Sequence, residues 1–214
     1  HRDLHSFPTR RSSDLNEGLE YYQNNPNIFA VCAYKRPFTI PKTYKHDIFV
    51  LENYSPWGFG IWRDRYNTVR KEHFDRYNEF KENDPDHFCH VEKTEPDFLM
   101  MLQADSQGRL EALDVRFEYH IHKYRMLSVF PSVSRSTNRG FDEKGMHCSG
   151  LNAVFDVNLA INERSLNFNV PLEIDPELKR LFLKAYKPSL WLRVYKNLMF
   201  YGWNKTLKFY CFRL

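Results

Sequence analysis

Between Tyr54 and Tyr66 the chain packs two indoles, two glycines and an alternating-charge tail into thirteen residues, Tyr54-Ser55-Pro56-Trp57-Gly58-Phe59-Gly60-Ile61-Trp62-Arg63-Asp64-Arg65-Tyr66. Glycine costs a helix interior about 1 kcal/mol relative to alanine, so Gly58 and Gly60 mark backbone that bends or is closely approached. Aromatic rings beside such backbone can wall a pocket. Chemistry-bearing side chains recur at two further places. Glu95 and Asp97 flank Pro96 at a helix opening, and Asp142 and His147 lie in a stretch, 132–150, rich in Ser, Asn and Gly. An acid at a helix start either moves a proton or complements the positive dipole end. An imidazole in a polar loop either ligates a metal or is solvated, and Asp142 either contacts a ligand or caps a turn.

These groups need elements to hold them. A helix ends over 17–24, stopped before Pro26, and an apolar run of strand type covers 28–34. Residues 35–45, with Pro37 and Pro41, read as loop, and a second strand is expected over 47–51. The aromatic block reads as a loop that opens a helix after Gly60, with Trp62 and Tyr66 four residues apart on one face. A helix over 70–81 is broken by Asn83, Asp84 and Pro85. Thr94 is the expected N-cap of a helix that carries Pro96 in its first turn, buries Phe98, Met101 and Leu102, and ends near Gly108. A helix over 113–124 and a strand over 126–130 follow. Loop is expected over 132–150, weak alternation over 158–171, and helices over 176–186 and 189–200. Helix followed by buried strand is the grammar of an α/β fold.

Composition narrows the function. Residues 1–15, His1-Arg2-Asp3-Leu4-His5-Ser6-Phe7-Pro8-Thr9-Arg10-Arg11-Ser12-Ser13-Asp14-Leu15, fit one reading frame of a short-read sequencing adapter, so the natural polypeptide is expected from Asn16 onward. That leader holds three arginines and two aspartates, and without it the formal charge falls from +4 to +3. So mild a surplus does not call for nucleic acid. About 200 residues suit one domain or the larger part of one. Cys32, Cys89, Cys148 and Cys211 contain no C-x-x-C and read as buried free thiols. No run approaches the length of a membrane-spanning helix.

Four blocks, in order over roughly 28–148, resemble bacterial family-2-like glycosyltransferases of the GT-A fold. The first is Ser55-Pro56-Trp57-Gly58-Phe59-Gly60-Ile61-Trp62-Arg63-Asp64-Arg65-Tyr66, and the second is Thr94-Glu95-Pro96-Asp97. The third is Arg116-Phe117-Glu118-Tyr119 leading to Phe130-Pro131. The last is Asn138-Arg139-Gly140-Phe141-Asp142-Glu143-Lys144-Gly145-Met146-His147-Cys148. More distantly, the arrangement is similar to eukaryotic N-acetylglucosaminyltransferases of the same class.

The resemblance implies an α/β, truncated GT-A (nucleotide-diphospho-sugar transferase) fold with a helical C-terminal extension. Residues 16–150 would be the C-terminal, acceptor-binding and catalytic part, and 151–214 a mostly helical basic and aromatic extension. It implies transfer of a sugar from a nucleoside diphosphate to a glycan or lipid-linked acceptor in cell-surface polysaccharide synthesis, assisted by Mn or Mg. The main metal ligands would lie in a donor half that the leader replaces, leaving this fragment inactive. Asp97 becomes the candidate base that deprotonates the acceptor hydroxyl, and Glu95 shares or takes that role, since Glu95 and Pro96 stand where the group has small residues. Trp57, Gly58, Phe59 and Gly60 become the acceptor wall, because pyranose C–H faces stack on rings. Trp62 reads as buried support, and Arg63, Asp64 and Arg65 as a solvated, ion-paired helix face. Asp142 and His147 would contact the donor or its diphosphate, with His147 also a candidate metal ligand. The alternative is a non-catalytic carbohydrate-binding or scaffold domain of the same fold. From Leu181 onward seven basic residues are interleaved with aromatics and no acid. That composition fits either peripheral membrane contact, with a cytoplasmic protein at the inner face, or a helical appendage with a wet basic face.

Overall fold

Alternation in short apolar runs builds a sheet that buries both faces. In the computed structural model, which describes residues 9–71, 75–137, 157–160 and 165–185, strands β1 (Ile28–Cys32), β2 (Ile48–Leu51), β3 (Phe59–Ile61) and β4 (Leu127–Pro131) form one mixed sheet in the order β2-β4-β1-β3. β1 and β4 are parallel, while β2 pairs antiparallel with β4 and β3 pairs antiparallel with β1. Seven helices accompany the strands among the described residues: α1 (Thr9–Tyr22), α2 (Arg63–Lys71), α3 (Arg76–Asn83), α4 (Pro85–Thr94), α5 (Pro96–Ser106), α6 (Leu113–Tyr124) and α7 (Pro176–Lys184). The protein is therefore mixed α/β, as expected. It divides into two compact units, His1–His73 with Leu113–Ala185, and Phe74–Ala112 with Tyr186–Leu214.

The first unit is layered about the sheet. Phe29, Phe49, Leu51 and Phe130 face one cluster, closed by Phe117 and Ile121 of α6, Val69 of α2, and Leu178 and Phe182 of α7. Ile28, Val31, Ile48, Val50 and Val129 face the other, closed by Tyr22 of α1 and by Phe168. Successive residues of a strand point to opposite faces, which divides β2 cleanly between the clusters. In β1 the register shifts between Ile28 and Ala30, and Phe29 and Ala30 both join the first cluster. Tyr22 fastens α1 to the far side by donating its hydroxyl to the Phe168 carbonyl at 2.6 Å. The expected natural start at Asn16 falls inside α1, where Leu15 and Leu19 pack on the second cluster.

In the second unit, helices α3, α4 and α5 follow one another at short turns. Asp84 ends α3 and caps α4, its carboxylate accepting the His87 N–H at 3.3 Å with Pro85 in the first turn. Tyr77, Phe80 and Phe88 meet edge to face. Arg76 and Asp105 form an ion pair at 3.8 Å, and both are almost wholly buried.

Several expectations need correction. The aromatic block is a strand at its centre, because β3 pairs with β1 through Cys32↔Phe59, Val31↔Gly60 and Ala30↔Ile61. A single helix over 70–81 is replaced by α2, ending at Lys71, and α3, starting at Arg76. Asp84 and Pro85, expected to break structure, start a helix. Thr94 closes α4 and donates its hydroxyl to the His90 carbonyl at 2.9 Å, so Glu95 takes the N-cap position of α5. Arg65 is not a solvated face residue: it is buried and donates to the carbonyls of Ile28 and of Asn25 (2.9 Å), with its guanidinium 3.7 Å above the Trp62 ring. Cys32 is buried as expected, whereas Cys89 is exposed. No helix among the described residues is long and apolar enough to cross a membrane.

Candidate functional site

Three backbone segments meet beyond the carboxyl end of β1. β1 and β4 run parallel, so both end on the same edge of the sheet, and the turn before antiparallel β3 lies on that edge too. Ligands of open α/β sheets bind outside the carboxyl ends of strands. The Ala33 N–H donates to the Gly58 carbonyl at 2.8 Å, and the N–H groups of Arg135 and Ser136 donate to the Ala33 carbonyl at 2.7 and 3.2 Å. The Ser136 hydroxyl donates to the Trp57 carbonyl at 2.5 Å. Gly58 has φ +92°, and a Cβ there would meet the Ser136 hydroxyl oxygen at 3.0 Å, so the turn itself requires glycine.

Of the four residues expected to wall an acceptor site, Trp57 and Gly58 sit on this edge. Trp57 is half-buried, with its ring 4.7 Å from that of Tyr34 in an edge-to-face contact. Phe59 instead packs on the first core cluster, 5.1 Å from the Tyr54 ring and 6.2 Å from that of Phe117. Gly60 answers to packing, since a Cβ there would lie 2.6 Å from Leu19 Cδ1. Gly58 thus has a backbone reason to be glycine and Gly60 a packing contact with the Leu19 side chain. Trp62, expected as a buried support, is half-buried and packs on the second cluster.

Farther along the same edge a pocket of ≈180 Å³ is lined by His46, Asp47, Ser132, Arg135, Ser165 and Leu166, among others. Its charges are engaged within the unit. Arg135 Nε lies 3.4 Å from Asp14 Oδ2, and Asp47 Oδ2 accepts the Asn167 N–H at 3.1 Å.

The carboxylates expected to do acid–base work belong to the second unit. Glu95 stands at the N-cap of α5 without capping it through its side chain, Pro96 occupies the first turn, and Asp97 follows in that turn. Both acids are half-buried. Asp142 and His147 lie outside the described residues, as does the segment 186–214. The chain matches no protein-family model, no curated protein and no solved structure.

Sequence inspection passed over Lys35, at the start of the expected 35–45 loop. It is 7% exposed, and its ammonium donates to the carbonyls of Arg36 (2.9 Å) and Phe38. Burial lowers its pKa from the ordinary 10.5 to about 8. The available signal was a cation directly after the apolar run 28–34 and followed by Arg36 and Pro37. Cys32 is a contrasting case. Burial pushes its thiol up to about 12, which leaves it an inert core group.

Proposed function

We propose that this chain is the acceptor-binding and catalytic part of a nucleotide-sugar-dependent glycosyltransferase of GT-A type, acting with inversion in bacterial cell-surface polysaccharide synthesis. One observation carries the reading furthest. Trp57 lies on the carboxyl edge of the sheet, hydrogen-bonded through its carbonyl to the 132–137 segment that leads directly into Asn138–Cys148. The first of the four family-like blocks therefore reaches the edge where open α/β sheets take ligands, and this is what supports the reading. In this reading Trp57 stacks on the acceptor sugar, Asp97 or Glu95 accepts the proton of the attacking hydroxyl, and Asp142 and His147 reach the donor diphosphate. A divalent cation would supply charge stabilisation for the leaving diphosphate. The acceptor would be a glycan or lipid-linked, and the basic aromatic residues after α7, within 186–214, would hold the enzyme at the inner face of the membrane.

The replacement of small residues by Glu95 and Pro96 favours a second reading, a carbohydrate-binding domain of this fold without a working base. Mutagenesis separates the two. Asp97→Ala should lower sugar transfer by about 10²–10⁴-fold, the usual contribution of a general base, with the far-ultraviolet spectrum unchanged. Transfer that persists at the parent rate in both Asp97→Ala and Glu95→Gln would remove both carboxylates from the mechanism.

A further inference from the structure

Trp57 stands at the centre of a three-residue turn, closed where the Gly58 N–H donates to the Pro56 carbonyl at 3.1 Å. Such a turn fixes little by itself. Glycine populates negative φ about as readily as positive φ, so nothing within the turn selects the φ of +92° at Gly58. The selection comes from outside. The Gly58 carbonyl accepts the Ala33 N–H at 2.8 Å, and the Trp57 carbonyl accepts the Ser136 hydroxyl at 2.5 Å. Ser136 is 2% exposed, and its own N–H donates back to the Ala33 carbonyl at 3.2 Å, which closes a ring of bonds through three backbone segments. Without the hydroxyl, the peptide between Trp57 and Gly58 is able to turn over. That rotation carries the Gly58 N–H away from the Pro56 carbonyl, opens the turn, and releases the half-buried indole from the single orientation in which it meets the Tyr34 ring.

We propose that Ser136 is a positioning residue for Trp57: its hydroxyl holds the 57–58 peptide so that the indole is set in one orientation before a ligand arrives. The inference rests on the reading of Trp57 as the ring that stacks on a sugar. It deepens that reading by making the affinity of the ring depend on a residue 79 positions away.

Titration of the whole chain with uncharged methyl glycosides of hexoses and N-acetylhexosamines, followed by nuclear magnetic resonance, tests this. The net worth of one neutral hydrogen bond sets the fraction of chains in the competent orientation, so Ser136→Ala should weaken glycoside binding about fivefold. The amides of Trp57 and Gly58 should show exchange on the microsecond-to-millisecond timescale in this variant and none in the parent. Ser132→Ala is the control. It removes the same kind of bond from the same segment, a hydroxyl donating to the His46 carbonyl at 2.7 Å, and should change neither readout. Unaltered affinity or unaltered amide exchange in Ser136→Ala, or equal losses in Ser132→Ala, overturns the proposal. If Trp57→Ala abolishes binding in that case, the stacking reading stands without Ser136. A parent chain that binds none of the glycosides overturns both.

Discussion

Lys35 shows how the burial of one charge bears on the stability of its scaffold. The unfolded chain holds this proton up to the ordinary value of 10.5, while the folded chain releases it at about 8. Between those values the unfolded state binds more protons, so stability rises with pH across that window. Below pH 8 both states are charged and the cost of burial is present in full. Lys35→Met should therefore be more stable than the parent at pH 7, by about 1 kcal/mol after allowance for solvent screening, and the difference should shrink towards pH 10. Urea unfolding at intervals of one pH unit measures it, and a difference that stays constant across the window would show that burial of the charge is not its source. Selection for stability alone gives no reason to keep an ammonium here. The bend at Trp57 was legible from its glycine neighbour, whereas the burial of Lys35 was not. Its environment comes from Ser134 and Phe38, and sequence spacing does not bring Ser134 beside it.

At the scale of elements, the sequence was clearest where pattern and punctuation agreed and weakest where a tertiary partner decided the outcome. β1, β2, α6 and β4 lie close to where their apolar patterns placed them. β3 was missed because two glycines argue against a strand, yet its ladder is supplied by β1 and its Gly60 by the close approach of Leu19. α4 was missed because Asp84 and Pro85 are equally a breaker and an N-terminal start, and only the side-chain cap on His87 distinguishes them. Arg65 reads as solvent-facing by charge, but the carbonyls at Asn25 and Ile28 draw it inward. The buried Arg76–Asp105 pair, which joins α3 to α5, was likewise unreadable from residues so far apart. Arg76→Met takes the cation away from a carboxylate that is 0% exposed and accepts the Ala112 N–H at 3.3 Å, and it should cost about 3–5 kcal/mol. Adding Asp105→Leu should restore most of that loss. Hydrogen exchange of α3 and α5 amides measures both effects, and no rescue by the double substitution would mean that the charge left behind is not what destabilises the single variant.

For the molecule as a whole, the first unit depends on segments far apart in sequence: β1, β2 and β3 near its start, α6 and β4 in the middle, and α7 near its end. The sheet cannot bury both faces with its strands and α6 alone. Phe182 of α7 is 0% exposed and meets Phe130 at 5.2 Å and Phe38 at 6.4 Å, while Lys179 of the same helix pairs with Glu52 at 3.2 Å. α7 therefore belongs to the core that carries Trp57 and Lys35, although its sequence position places it in the expected extension beyond residue 150. Composition marked that extension by its basic and aromatic content, which says nothing about whether its first helix packs inward. Phe182→Ala should cost about 3–5 kcal/mol, the range for deleting a buried aromatic. In a chain of this size that lowers the melting temperature by roughly 10 °C. Because the ring also lies under the Arg36 guanidinium, the same variant should loosen the Lys35 loop and increase exchange at its amides. A melting temperature within about 2 °C of the parent would instead place α7 outside the cooperative core and leave the sheet to stand without it.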